Sequence, residues 1–218
     1  MPKYAHHSIE GGGVVIWHIT ESSEELYSLL ATRRYDKQLL DKKNEVRRAE
    51  WLAVRLIVKE LFGADCEVAY HSTGRPYLKN SDVHISISHT KGYAAVAYHH
   101  VAPIGVDIEY VSSRVERIAD RFSSQEESSY IELYDAADRQ KYHLINWSAK
   151  ESLYKLFDSS SMADFKAAFN ITHYLLGEKG ELSALVRGVG HVKVCYSMHA
   201  EFVCTCTLDN SAIGEAMS

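Results

Sequence analysis

Two carboxylates stand two residues apart in Gly105-Val106-Asp107-Ile108-Glu109. On a strand, alternate residues share a face, so Asp107 and Glu109 project side by side while Val106 and Ile108 bury. Neighbouring carboxylates repel and call for a cation. A hard divalent ion takes oxygen ligands, and Mg²⁺ suits a phosphate substrate. The plainer alternative is an amphipathic strand with a solvated acidic face. A second group is Trp147-Ser148-Ala149-Lys150-Glu151-Ser152-Leu153-Tyr154-Lys155. On a helix, Glu151 and Lys155 share one face, and Trp147 lies one turn earlier on the same side. Alone, they read equally as a surface ion pair worth about 0.2–0.5 kcal/mol. In Ile85-Ser86-Ile87-Ser88-His89-Thr90, His89 ends a strand at the mouth of a hairpin. There it serves either a phosphate or the turn itself. Gly74-Arg75-Pro76 presents a cation on a stiff turn. Ser123-x-x-Glu126 has the pattern of a capping box, with a part in the site as the alternative.

These residues need elements to hold them. Helical spacing is clearest over Glu45–Phe62, where Val46, Ala49, Ala53, Leu56, Ile57 and Leu61 recur and Gly63 follows as a stop. Ser22–Leu30, Ser123–Tyr134 and Arg139–Phe157 also read as helices. Strands are expected over Val14–Ile19, Glu67–His71, Val83–Ser88, Tyr93–Tyr98 and Ile104–Glu109. Four more are expected over Phe169–Tyr174, Leu182–Val186, Val192–Ser197 and Glu201–Leu208. Ser72–Pro76 reads as a turn, and Thr90-Lys91-Gly92 closes a hairpin between two strands. The first thirteen residues, polar and rich in His and Gly, suggest no element. A junction falls at His99–Pro103. The expected organisation is therefore an α+β half over 1–101 with a basic helix, and a second over 102–218 with the carboxylates.

The 218 residues, 46% hydrophobic, suffice for one or two domains with a real core. No apolar run approaches the roughly 18–20 residues that cross a bilayer. The N-terminus has no basic start followed by an apolar stretch, so no secretory signal and a cytoplasmic location are expected. Four cysteines and twelve histidines show no zinc spacing. Gly11-Gly12-Gly13 lacks the Lys-Ser/Thr ending of a phosphate loop, and no serine-hydrolase elbow occurs. The net charge of −5 argues against general nucleic-acid binding. The charge is uneven, however. Arg33, Arg34, Lys37, Lys42, Lys43, Arg47, Arg48, Arg55 and Lys59 crowd one stretch. Such a patch suits a small polyanion or an acidic partner, or is a solvated helix face.

In this order the motifs resemble the 4′-phosphopantetheinyl transferase family. The match is G-R-P at Gly74–Pro76, S-I-S-H at Ser86–His89, G-V-D-I-E at Gly105–Glu109, F-S-S-Q-E at Phe122–Glu126 and W-S-A-K-E-S-L-Y-K at Trp147–Lys155. R-R-A-E-W-L-A-V-R at Arg47–Arg55 is looser. The length resembles the larger type, which implies two similar α+β halves packed as an intramolecular pseudo-dimer, a monomer with coenzyme A between them. The resemblance implies that Asp107, Glu109 and Glu151 hold Mg²⁺, with Mn²⁺ as a substitute. Glu151 and Lys155 are the expected catalytic pair, with Lys155 also on the phosphates. His89 and Arg75 would take the phosphorylated adenosine end, helped by Arg48 or Arg55 of a helix on which Arg47, Arg48 and Arg55 permit more than one register, with Ser88 and Thr90 also at the ligand. The implied activity is of the holo-acyl-carrier-protein synthase type: the 4′-phosphopantetheine arm moves from coenzyme A to a serine of an acyl or peptidyl carrier protein. A non-catalytic coenzyme A-binding protein and a metal-dependent phosphohydrolase are the alternatives.

Overall fold

A computed structural model describes residues 3–32, 34–40, 44–157 and 164–209. Arg33, Lys42 and Lys43 of the basic stretch lie outside the described residues. The chain divides into two compact units, residues 1–101 and 102–218, both mixing helices with antiparallel sheet.

The first unit runs β1 (Lys3–Ile9), β2 (Gly12–His18), α1 (Ser23–Leu30), α2 (Asp36–Leu40), α3 (Glu45–Phe62), β3 (Glu67–Tyr70), β4 (Pro76–Lys79), β5 (His84–Thr90) and β6 (Tyr93–His99). Its four-stranded sheet has the order β1-β2-β6-β5, and β3 and β4 form a separate hairpin. The polar N-terminus is thus a strand: backbone pairing with β2 orders it without an apolar pattern. Pro76, expected in a turn, opens β4 instead, at the end of the ladder opposite Tyr70, where a missing N–H is tolerated. Helix α3 buries Leu52, Ala53, Leu56 and Ile57 together with Val54 and Val58. It is apolar on more than one stripe because it packs on α1 as well as on β2 and β6. Val46, in the first turn of the helix, stays exposed. Between β5 and β6 the turn is Lys91-Gly92, and Gly92 takes φ +74°, which favours glycine.

The second unit runs β7 (Ile104–Tyr110), α4 (Arg114–Arg117), α5 (Ala119–Phe122), α6 (Gln125–Ile131), α7 (Ala136–Phe157), α8 (Phe165–Ala168), β8 (Phe169–Ile171), β9 (Lys179–Val186), β10 (Gly190–Met198) and β11 (Phe202–Leu208). The sheet order is β7-β11-β10-β9-β8. The two units share a plan. In each, a strand leads to a long helix, and the unit's last strand returns antiparallel beside that first strand: β6 beside β2, β11 beside β7. The long helix lies across that pair, α3 on β2 and β6, α7 on β7 and β11.

One local expectation shifts. The capping box is Ser124…Glu127, not Ser123…Glu126. Glu127 N donates to Ser124 Oγ (3.2 Å), and Ser124 N donates to Glu127 Oε2 (2.7 Å). Phe122 and Ser123 are both buried, so α6 starts after them. Helix α7 begins three residues before the expected Arg139 because Asp135 Oδ1 accepts from Asp138 N (2.9 Å) and caps it.

Candidate active site in the second unit

Glycine at 105 sets the geometry. A Cβ there would stand 2.0 Å from Ser152 O and 3.1 Å from Leu156 Cβ, so only glycine lets α7 lie this close to β7. Thr205 on β11, directly opposite Asp107, donates through Oγ1 to Ser148 O (2.9 Å) and pins the helix from the next strand. From Trp147 to Lys155 the helix climbs about 12 Å. That spans the roughly 13 Å from Glu109 to Gly105 on the strand. The two motifs therefore meet residue for residue. Trp147 Nε1 donates to Glu109 Oε1 (3.0 Å). Lys155 Nζ donates to Asp107 Oδ1 (2.8 Å) and Val106 O (3.1 Å). Glu151 lies between them on the helix.

Asp107, on the same strand face as Gly105 and Glu109, is itself buried, 5% exposed. Crowding shows in the acid–base behaviour. Burial, then the charge on Asp107, pushes the Glu151 carboxyl up to about 7, with Lys155 opposing and Glu109 adding. Burial and Asp107 likewise raise Glu109, against the Trp147 hydrogen bond and the charges of Arg114 and Lys155. Among the described residues no three His, Cys, Asp or Glu side chains form a ready cage for a metal ion: the Lys155 ammonium stands on Asp107, and Trp147 on Glu109. The donor set still fits a divalent cation. It is all oxygen, and burial beside the Asp107 charge holds Glu109 and Glu151 toward protonation, a condition that a cation relieves.

A buried support was missed in the sequence. Lys150, fully buried, donates to Phe122 O (2.6 Å) and Glu127 Oε2 (2.8 Å). Glu127 also accepts from Ile171 N (2.7 Å), so one ion pair ties α7 to α6 and β8. Burial pulls the lysine ammonium down, and the Glu127 carboxylate opposes. The only signal was a lysine beside Ala149 on the inner face. Trp147 packs between Phe122 and Phe165, at ring distances of 5.1 and 5.6 Å, which fixes the indole that holds Glu109.

In the first unit, His89 meets Arg47. Arg47 Nη1 donates to His89 Nδ1 (3.1 Å) and to Glu50 Oε2 (2.9 Å). His89 Nδ1 also lies 3.4 Å from Glu50 Oε2, so the three side chains form one cluster. Arg48 lies 3.8 Å from Glu45. Arg55 is buried, its guanidinium 3.7 Å from the centre of the Trp51 ring. The register was open in sequence because consecutive helix positions point about 100° apart. Ser88 is buried and Thr90 half-buried on β5. Arg75 presses on His84, which burial first lowers. His84 is five residues from His89, about 16 Å along the strand.

Residues 103–207 match the model of the 4′-phosphopantetheinyl transferase superfamily. The 4′-phosphopantetheinyl transferase HetI of Nostoc sp. (strain PCC 7120) is 26% identical over an alignment covering 71% of this chain and 73% of that protein. The matched segment contains Gly105, all three carboxylates and Lys155, and residues 103–207 form a domain of the 4′-phosphopantetheinyl transferase superfamily.

Proposed function

We propose that this enzyme converts an apo acyl or peptidyl carrier protein to its holo form with coenzyme A as donor. The observation that carries the reading is the seam between α7 and β7. There, three mutually repelling carboxylates and one lysine are held against a strand at a glycine. The serine oxygen of the carrier forms a bond to the β-phosphorus of coenzyme A. The bond from that phosphorus to the bridging oxygen breaks, and 3′,5′-adenosine bisphosphate leaves. Catalysis of such a displacement is mostly positioning and charge compensation. Asp107, Glu109 and Glu151 would hold a divalent ion, Mg²⁺ or in its place Mn²⁺, which neutralises pyrophosphate oxygens when bound.

The chain's own groups do the rest. Glu151, on a rigid helix, takes the serine proton, directly or through a water. Lys155 stabilises charge on the leaving phosphate oxygen. Trp147 keeps the Glu109 carboxylate aimed. His89, with Arg47 beside it, takes the phosphorylated adenosine end. Ser88, Thr90 and Arg75 are assigned to the same ligand, with Arg48 and Arg55 as further cations of α3. The division at residues 101 and 102 is proposed as the boundary between the half carrying these ligand contacts and the half carrying the chemistry. The enzyme is further proposed to be a cytoplasmic pseudo-dimer within one chain, hence a monomer, with no nucleic-acid or membrane partner. Among the described residues no helix is long and apolar enough to cross a membrane.

Intact mass of an apo carrier after incubation with the protein, coenzyme A and Mg²⁺ tests the reaction. A gain of one phosphopantetheinyl arm that disappears with chelator is expected. No gain on several unrelated carriers, with coenzyme A still bound tightly, would identify a non-catalytic binder instead. Release of phosphate with no carrier present would point to a phosphohydrolase.

A further inference from the structure

The first unit contains a cavity of about 250 Å³ between the end of α1, the middle of α3 and the loop that follows it. Three cations line it, Arg34, Arg55 and Lys59, with Tyr35, Asp65 and Cys66. Their counter-charges are poor. Asp65 stands in open solvent 3.9 Å from Arg34, a separation at which an exposed pair contributes little. Glu67 is engaged by Lys79 at 2.9 Å.

Arg55 is the unusual member. It is 4% exposed, and no carboxylate lies within ion-pair distance of it among the described residues. Its guanidinium lies on the Trp51 ring, one N–H reaches Trp51 O at 3.3 Å, and Nε is buried with no acceptor. A buried arginine held this way carries a desolvation cost that no carboxylate in contact with it among the described residues offsets. Burial accordingly pulls it below the usual arginine range, opposed by the charge of Tyr70 and a hydrogen bond with it, then by Tyr35 and Glu67.

The other two cations are placed by backbone. Lys59 Nζ donates to Leu29 O (3.0 Å) and Leu30 O (2.9 Å). Arg34 Nη1 donates to Ala64 O and Asp65 O, each at 3.4 Å. An ammonium has three N–H donors and a guanidinium five, so donor capacity remains at all three. We propose that this cavity binds a phosphate group, either inorganic phosphate or the phosphate end of a small monoester. A tetrahedral dianion matches converging arginine forks and an ammonium better than a monoanionic carboxylate does. The site is separate from the His89 cluster: Arg47 and Arg55 lie eight residues apart on α3, about 12 Å.

The test is calorimetric titration of the intact protein with inorganic phosphate, against chloride at equal ionic strength, with a thermal melt of each variant as a fold control. Saturable phosphate binding is expected in the wild-type protein and in Arg47→Ala. Arg34→Gln and Lys59→Gln should each weaken it about tenfold or more. Arg55→Lys, which keeps the charge but removes the fork, should weaken it as well. Absence of phosphate-specific heat in the wild-type protein would overturn the proposal. So would binding that survives undiminished when Arg34→Gln and Lys59→Gln are combined with Arg47→Ala, which removes the contribution of the His89 cluster, or binding lost in Arg47→Ala alone. A monoester such as glycerol phosphate that binds more tightly than inorganic phosphate would show that the cavity takes the organic portion too. Weaker binding of the monoester would identify inorganic phosphate as the better-matched ligand.

Discussion

Lys155 has two claims on its ammonium. It neutralises Asp107, whose side chain is 7% exposed, at 2.8 Å, and the proposed reaction needs it on a phosphate. A cation bound at Asp107 resolves the conflict, because it takes over the neutralisation and frees the lysine for the substrate. Lys155→Ala is therefore expected to lower the transfer rate by about 10²-fold or more, and to weaken coenzyme A binding measured by calorimetry. Without metal it should also destabilise the protein, because Asp107 loses its counter-charge. Mg²⁺ should recover most of that stability and little of the rate. If binding and rate both match wild type, Lys155 is a structural pair only. For Glu151→Gln the expected outcome is loss of transfer in a protein that still folds, read from the same intact-mass assay and a melt. Gln keeps the size and removes the proton acceptor. Normal turnover by a folded Glu151→Gln protein would remove Glu151 from the base role.

At the level of elements, one glycine decides whether the chemistry assembles. Gly105→Ala puts a methyl group 2.0 Å from Ser152 O, a distance that no rotamer relieves. The helix must move off β7, and with it the contacts from Lys155 to Asp107 and from Trp147 to Glu109. We expect a loss of about 2–4 kcal/mol in urea denaturation and a far larger loss of transfer activity. Stability and activity both at wild-type levels would show that α7 tolerates the shift. The motifs at Asp107, Glu109, Glu151 and Lys155 were legible because each follows a simple period, two on a strand and four on a helix. Their meeting was implied by the family resemblance and by no local spacing, since it depends on Gly105 and on the Thr205 to Ser148 bond, neither of which has a pattern. The capping box was misread by one residue for a related reason. Ser123-x-x-Glu126 and Ser124-x-x-Glu127 both satisfy the motif, and only the burial of Phe122 and Ser123 selects the second. Strand β1 had no apolar period to announce it, because its order comes from the ladder with β2. The contact of Arg47 with His89 depends on where β5 brings the imidazole, a long-range meeting that no local spacing encodes.

On the scale of the whole molecule, folding must bring like charges together at the seam, and pH then sets how much that costs. Glu151 has a pKa raised to about 7 from 4.5, so between those values the folded chain holds a proton that the unfolded chain has released. Unfolding thus becomes easier as pH rises through this window, by up to a value on the order of 3 kcal/mol from this one group. Most acidic proteins lose stability on the acid side, where carboxylates paired in the fold must be protonated. Here the metal-free protein should instead lose stability from pH 5 to pH 8, measured by urea denaturation in chelator. Glu151→Gln removes both the titration and part of the repulsion, so its profile should be flatter and its stability at pH 8 higher than wild type. A divalent cation binds the ionised carboxylates and should raise the melting temperature strongly at pH 8 and weakly at pH 5. If instead wild type and Glu151→Gln share one pH profile, and Mg²⁺ shifts both melting temperatures equally, the three carboxylates do not act as a single charged centre.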